Sequence, residues 1–116
     1  NMLVTSSDFL IPQIKQALTV AGKWKKSSED GHVLFAGFDG DDGQYQAILD
    51  GYMDVGGVQD LFFEADLAIG AIQKIRAGET VDKLLLDPGF VLTQARLEED
   101  RDRSWGYAVW KEAHGG

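Results

Sequence analysis

Apolar positions along the chain fall alternately into short runs and helical stripes. Met2 to Val4 is a short apolar run giving way to Thr5-Ser6-Ser7-Asp8, the pattern of a buried strand handing over to a helix cap. Phe9, Leu10, Ile14, Ala17, Leu18 and Ala21 then recur at helical spacing, with Pro12 in the first turn and Gly22 as the stop. Lys23 to Gly31 is polar and reads as a solvated loop. His32 to Ala36 is too short for a helix and predicts a buried parallel strand bounded by Gly37. After the turn Gly37 to Gly43, Gln44 to Leu49 predicts a short helix, and the glycine-rich stretch Tyr52 to Gln59 a third strand.

From Asp60 the spacing is helical again. Leu61, Ala65, Ala68, Ile69, Ile72 and Ile75 share one side; Asp60 and Glu64 open the segment and Lys74 and Arg76 close it, as the macrodipole favours. Leu84 to Leu86 and Phe90 to Thr93 predict two extended pieces split by Asp87-Pro88-Gly89. The mixed charges from Glu98 to Arg103 suggest a solvated turn or helix start, and Trp105, Val109 and Trp110 a last helix with an aromatic face. The order β-α-β-α-β-α-β-β-α predicts an α/β architecture, a mainly parallel sheet with flanking helices. Ligands of such sheets sit beyond the C-terminal strand ends, which singles out Ser6, Ser7 and Asp8, then Phe38 and Asp39, then Gln59 and Asp60.

Composition narrows the function classes. The 116 residues suffice for one packed domain, and 44% hydrophobic with 10% aromatic residues argue against disorder. No run approaches the roughly 18 apolar residues of a membrane span, so no membrane insertion is expected. Eleven Lys and Arg against 19 Asp and Glu leave a net charge of −8, a field that disfavours nucleic acid for this segment. The absence of cysteine excludes disulfides, thiol catalysis and thiolate metal sites. Nothing at the start resembles a signal peptide, so either the protein is not exported or its true N-terminus lies upstream.

Gly37 to Gly43 lies between a strand and a helix and holds three glycines, but Asp39, Asp41 and Asp42 would repel a phosphate. The Gly and Glu that a calcium loop requires are out of place. A carboxylate at a strand end suits hydroxyl recognition, since Asp39 can accept two hydrogen bonds from a vicinal diol; capping the next helix is the equally open alternative. Gln59 can bond a ligand or serve as a hinge, and at least one of Ser6, Ser7 and Asp8 is expected to cap the first helix. His32 and His114 are expected at the surface, which leaves a nucleophilic triad unsupported. Trp105, Tyr107 and Trp110 could stack on sugar rings, although a packing face is the simpler reading.

Val33 to Gly40, Ala47 to Gly51 and Val58-Gln59-Asp60 together resemble the C-terminal part of type I periplasmic sugar-binding proteins. These are the ribose-binding-protein group of ABC-transporter solute receptors, whose fold is shared by LacI-type effector domains. Val4 to Asp8 upstream and Ala68 to Val81 downstream extend the resemblance from Met2 to about Leu97, leaving the loop Lys23 to Gly31 and the tail from Glu98 outside it.

The resemblance implies a partial periplasmic-binding-protein-like type I fold that is not an enzyme and uses no cofactor or metal. Carried over residue by residue, the family's ligand-binding Asp falls on Asp39 and its Gln on Gln59, while Ser7 stands where the family usually has Asn. Residues 1–59 would be the C-terminal part of the second lobe, 60–88 a crossover segment belonging to the first lobe, and 89–116 the return strand and C-terminal helical tail. Hinges would fall at Gln59, Asp60, Asp87, Pro88 and Gly89. The partners implied are a sugar or polyol and, for the intact protein, an ABC permease, with a periplasmic or extracytoplasmic location. Too short for two lobes, the chain is expected to be a fragment whose open edge and apolar face favour self-association. Two alternatives stay open: the effector domain of a LacI-type transcriptional regulator, and a small α/β enzyme using Asp39 or Asp8 as general base.

Overall fold

Three apolar runs become three parallel strands: β1 (Met2–Val4), β2 (Leu34–Asp39) and β3 (Val55–Val58), side by side in that order. The structure is a computed structural model that describes residues 1–115, so the last residue of the 89–116 segment lies outside it. The crossovers are α1 (Ile11–Val20) and α2 (Asp42–Leu49). Beyond β3 the chain runs through α3 (Leu61–Arg76), returns as β4 (Phe90–Leu92), and ends in the single turn α4 (Leu97–Asp100) and in α5 (Trp105–His114). The architecture is α/β with a mainly parallel sheet, as the pattern predicts.

Several expectations need correction. Leu84 to Leu86 forms no strand; only Phe90–Leu92 joins the sheet, antiparallel to β3. Phe90 lies opposite Val58, where the chain left the sheet, so a strand re-entering there has to run back along β3. α1 begins at Ile11, and Phe9 sits in a preceding 3-10 turn with its ring exposed. None of Ser6, Ser7 and Asp8 caps it: the residue before α1 is Leu10, which offers no side-chain cap. β2 continues three residues past Ala36, so Asp39 belongs to the strand and not to a turn.

The core lies between the sheet and α1, α2 and α4, with Ile11, Phe35, Ile48, Met53, Leu92 and Leu97 buried. Gly37 and Gly56, partners across β2 and β3, floor this layer. A methyl on Gly37 would collide with Met53 and Asp8, and one on Gly56 with the Gln44 amide, so both sites need a residue without Cβ. α5 docks on α2 through Tyr45, Tyr107 and Trp110, whose rings stand 5.3 to 6.2 Å apart, and Trp110 donates to the Gln46 side-chain oxygen. The aromatic tail is therefore a packing face. The run Glu98 to Arg103 is only partly solvated, because Asp100 is buried and pairs with Arg96 at 2.9 Å.

α3 departs from the core. None of its residues is buried, and the side bearing Ile69, Ile72 and Ile75 faces outward, covered by no other element among the described residues. Only Leu67, Gly70 and Ala71, on another side, are partly covered, beside Val81 and Leu85 of the returning segment. This projection makes the molecule 59 Å long with a radius of gyration of 17.2 Å, against about 13 Å for a compact chain of this length. Among the described residues no helix is long and apolar enough to cross a membrane.

Candidate functional site

Parallel strands all point their C-terminal ends the same way, so the residues that leave β1, β2 and β3 gather on one rim. There the Ser7 hydroxyl donates to Asp39 Oδ2 at 2.8 Å, and the Asp8 backbone N–H donates to the same oxygen at 3.2 Å. The cap of α2 is Asp41, whose carboxylate accepts from the Gln44 N–H, so the capping alternative for Asp39 falls away. Asp39 also holds φ at +125°, a conformation few residues other than glycine adopt. Its carbonyl accepts the Gln59 N–H at 3.0 Å and the Trp105 indole N–H at 3.3 Å.

Ser7 and Asp39 thus form one contact, and Gln59 joins them through the backbone. Gln59 lines a cleft of about 290 Å³ with Phe38, Glu64 and the turn Asp87-Pro88-Gly89; Ser7 and Asp39 lie outside that lining. The five expected hinge residues do meet here. Asp60 donates its N–H to Asp87 Oδ2, Asp87 Oδ1 accepts from the Gly89 N–H, and the Asp60 carboxylate caps α3 at Phe63 while pairing with Arg103 at 3.2 Å. The Asp87 carboxylate thus ties the two chain crossings between sheet and α3 to one another, while that of Asp60 links the first crossing to Arg103.

Behind the rim lies a second carboxylate that pattern reasoning placed only as a cap or a general base. Asp8 is 1% exposed; its Oδ2 accepts the Gly40 N–H and the Gln44 amide, each at 2.7 Å, while Oδ1 has no donor among the described residues. Burial pushes its pKa up to about 6, outweighing those two bonds, and the Asp41 carboxylate adds to the rise. Burial also raises the Asp41 carboxyl above the ordinary range, against the pull of the Gln44 N–H. The buried Gln44 escapes periodicity analysis because it looks like any polar helix start; the glycines opposite it are the only trace.

His32 corrects the surface expectation. It is half-buried, with Nε2 2.9 Å from Asp54 Oδ2 and Nδ1 2.7 Å from the Lys25 carbonyl, so both ring nitrogens face acceptors. Burial pulls its pKa down, but the Asp54 and Lys25 bonds outweigh it and the net shift is upward. The pair secures the loop before β2, away from the rim. His114 is exposed, as expected. Among the described residues no group of three or more His, Cys, Asp or Glu side chains could hold a metal ion.

Parallel strands that present Ser7, Asp39 and Gln59 at or just beyond their C-terminal ends, followed by a helix that leaves the sheet, define part of a type I periplasmic-binding-protein-like fold. No protein-family model matches the sequence, nor does any curated protein. Solved structures do. The chain resembles a galactofuranose binding protein with TM-score 0.67 and 19% identity over 89% of this chain and 33% of that one. It resembles the periplasmic binding protein component of the arabinose ABC transporter from Shewanella sp. ANA-3, bound to α- and β-L-arabinofuranose. There the TM-score is 0.72 at 21% identity, over 97% of this chain and 36% of that one. A protein from Mycobacterium smegmatis matches with TM-score 0.62 and 20% identity over 100% of this chain and 38% of its own length. At these identities the likeness is one of fold, and the chain spans about a third of the length of each protein. The match covering the whole chain takes in the tail from Glu98, which the sequence resemblance left out.

Proposed function

We propose that this chain is part of a noncatalytic sugar receptor of ABC-transporter uptake and carries one wall of its ligand cleft. The observation that carries the proposal is the coincidence of a TM-score of 0.72 to an arabinofuranose-bound receptor with the Ser7–Asp39 contact at the strand ends. Asp39 is the hydroxyl acceptor: Oδ2 is engaged by Ser7 and Asp8, and among the described residues none donates to Oδ1. Gln59 supplies a donor and an acceptor from the adjacent cleft. Residues 1–59 belong to one lobe, 60–88 to the other, and 89–116 return to the first; the uncovered side of α3 and its distance from the core support that division. Closure turns on Gln59, Asp60 and Asp87 to Gly89, the ligand is a sugar or polyol, the intact receptor is periplasmic or otherwise extracytoplasmic, and an ABC permease reads its closed form.

Calorimetry tests this with a panel of pentoses, hexoses and polyols on the receptor expressed from its complete reading frame. One sugar of the panel binds, and D39N weakens it at least about tenfold through loss of a charged acceptor. Binding of no sugar, or equal affinity in D39N, would refute the reading. The isolated chain, holding one wall, binds weakly or not at all.

A further inference from the structure

The site is braced from behind by a segment that follows it by more than forty residues. Arg103 sends its guanidinium to Asp60 at 3.2 Å and lies 4.0 Å over the Phe90 ring, touching both chain crossings. Ser104, 1% exposed, caps α5 by accepting the Tyr107 N–H. Trp105 gives its indole N–H to the Asp39 carbonyl, the same atom that accepts from Gln59. The first turn of α5 sits on the Gly40 and Asp41 carbonyls so closely that a methyl at Gly106 would collide with both.

We infer that Trp105 and Arg103 are positioning residues: Trp105 holds the peptide of Asp39 in its unusual conformation, Arg103 holds Asp60 at the crossing, and the segment from Arg103 to Trp105 thereby sets the spacing between the two. The physical case rests on Asp39. A non-glycine residue at φ +125° relaxes unless its surroundings over-determine it, and its carbonyl is fixed by two donors from separate segments, Gln59 just past β3 and Trp105 of α5. Ligand affinity consequently depends on a residue that touches no ligand; this last step rests on the sugar-receptor reading, the brace itself does not.

Amide hydrogen exchange on this chain followed by NMR tests the brace. W105F keeps an aromatic side chain, smaller than the indole, and removes the N–H; the Gln59 amide then exchanges about tenfold faster, while the Phe35 amide, bonded to Asp54 at the far end of β2, does not change. R103Q, altering a half-exposed side chain, does the same at Phe63, whose N–H the Asp60 carboxylate accepts. Unchanged exchange at Gln59 and Phe63, or a rise shared equally by Phe35, overturns the brace, the second because it reports general loosening. Calorimetry on the complete receptor separates the two readings. Faster exchange with a sugar-binding receptor whose affinity W105F lowers about fivefold supports both; faster exchange with no sugar bound leaves the brace and removes the receptor.

Discussion

Ser7 and Asp39 stand 32 positions apart in sequence and share a hydrogen bond of 2.8 Å where β1 and β2 end. The bond uses one carboxylate oxygen and leaves the strained backbone of Asp39 to be supported by its neighbours. Two substitutions separate these effects. D39A and D39G both abandon the Ser7 hydroxyl and the Asp8 N–H, at a common cost of about 1–2 kcal/mol. Glycine alone accepts φ +125° without strain, so D39G is expected to be more stable than D39A by about 1–2 kcal/mol, reversing the ordinary ranking of alanine above glycine. Urea midpoints of the two variants check it; D39A at or above D39G contradicts a strained Asp39.

The layer beneath the sheet yields a second prediction. Gly56 has no room for a methyl because the Gln44 amide occupies it, so G56A is expected to cost about 2 kcal/mol or more by overpacking. Gln44 is the neighbour that must give way. In a Q44A background the same G56A change should cost much less, a coupling that denaturant titration of the four-member cycle measures. Simple additivity would mean that the clash lies elsewhere.

Most of the fold was legible because it rests on local signals: the apolar runs of β1 to β3, the stop at Gly22, the acids and bases at the two ends of α3. The rim residues followed from the rule that parallel strands present ligands at their C-terminal ends, and it placed Ser7, Asp39 and Gln59 correctly on that rim. What stayed hidden depends on contacts between distant segments. Nothing near Leu84 to Leu86 shows that no strand is available to pair with them, and the spacing of Ile69, Ile72 and Ile75 cannot tell a covered face from an open one. Asp8 and Gln44 are polar residues at helix starts until the sheet glycines draw them inward, and Trp105 reads as packing until its N–H is seen to meet Asp39.

Asp8 gives stability a definite slope with pH. Its folded pKa of about 6 lies above the ordinary 3.8, so the folded state binds the proton more tightly than the unfolded chain does. The associated stabilisation is complete below about pH 4 and disappears as pH rises through about 6. D8N, which cannot ionise, removes that portion of the slope. Urea midpoints taken between pH 4 and 7 should fall with rising pH in the parent and fall less in D8N. Parallel curves would show that Asp8 is not the group responsible.

The outward side of α3 makes the last prediction one of association. Ile69, Ile72 and Ile75 are 54, 56 and 63% exposed on successive turns of one helix, and Leu84 and Leu86 add 70 and 68% exposed side chains from the returning segment. So many exposed apolar side chains on one projecting unit are rare on a solitary chain in water, since a fully exposed side chain of this size forgoes roughly 1.5–3 kcal/mol of burial. In the isolated chain that apolar surface is expected to meet a second copy, giving sedimentation coefficients that rise over micromolar concentrations. Replacing Ile69, Ile72 and Ile75 together with lysine should abolish the rise while the circular dichroism of the sheet persists, because none of the three contributes to the core. A parent chain that sediments as a monomer at every concentration would show that the exposed surface does not drive assembly.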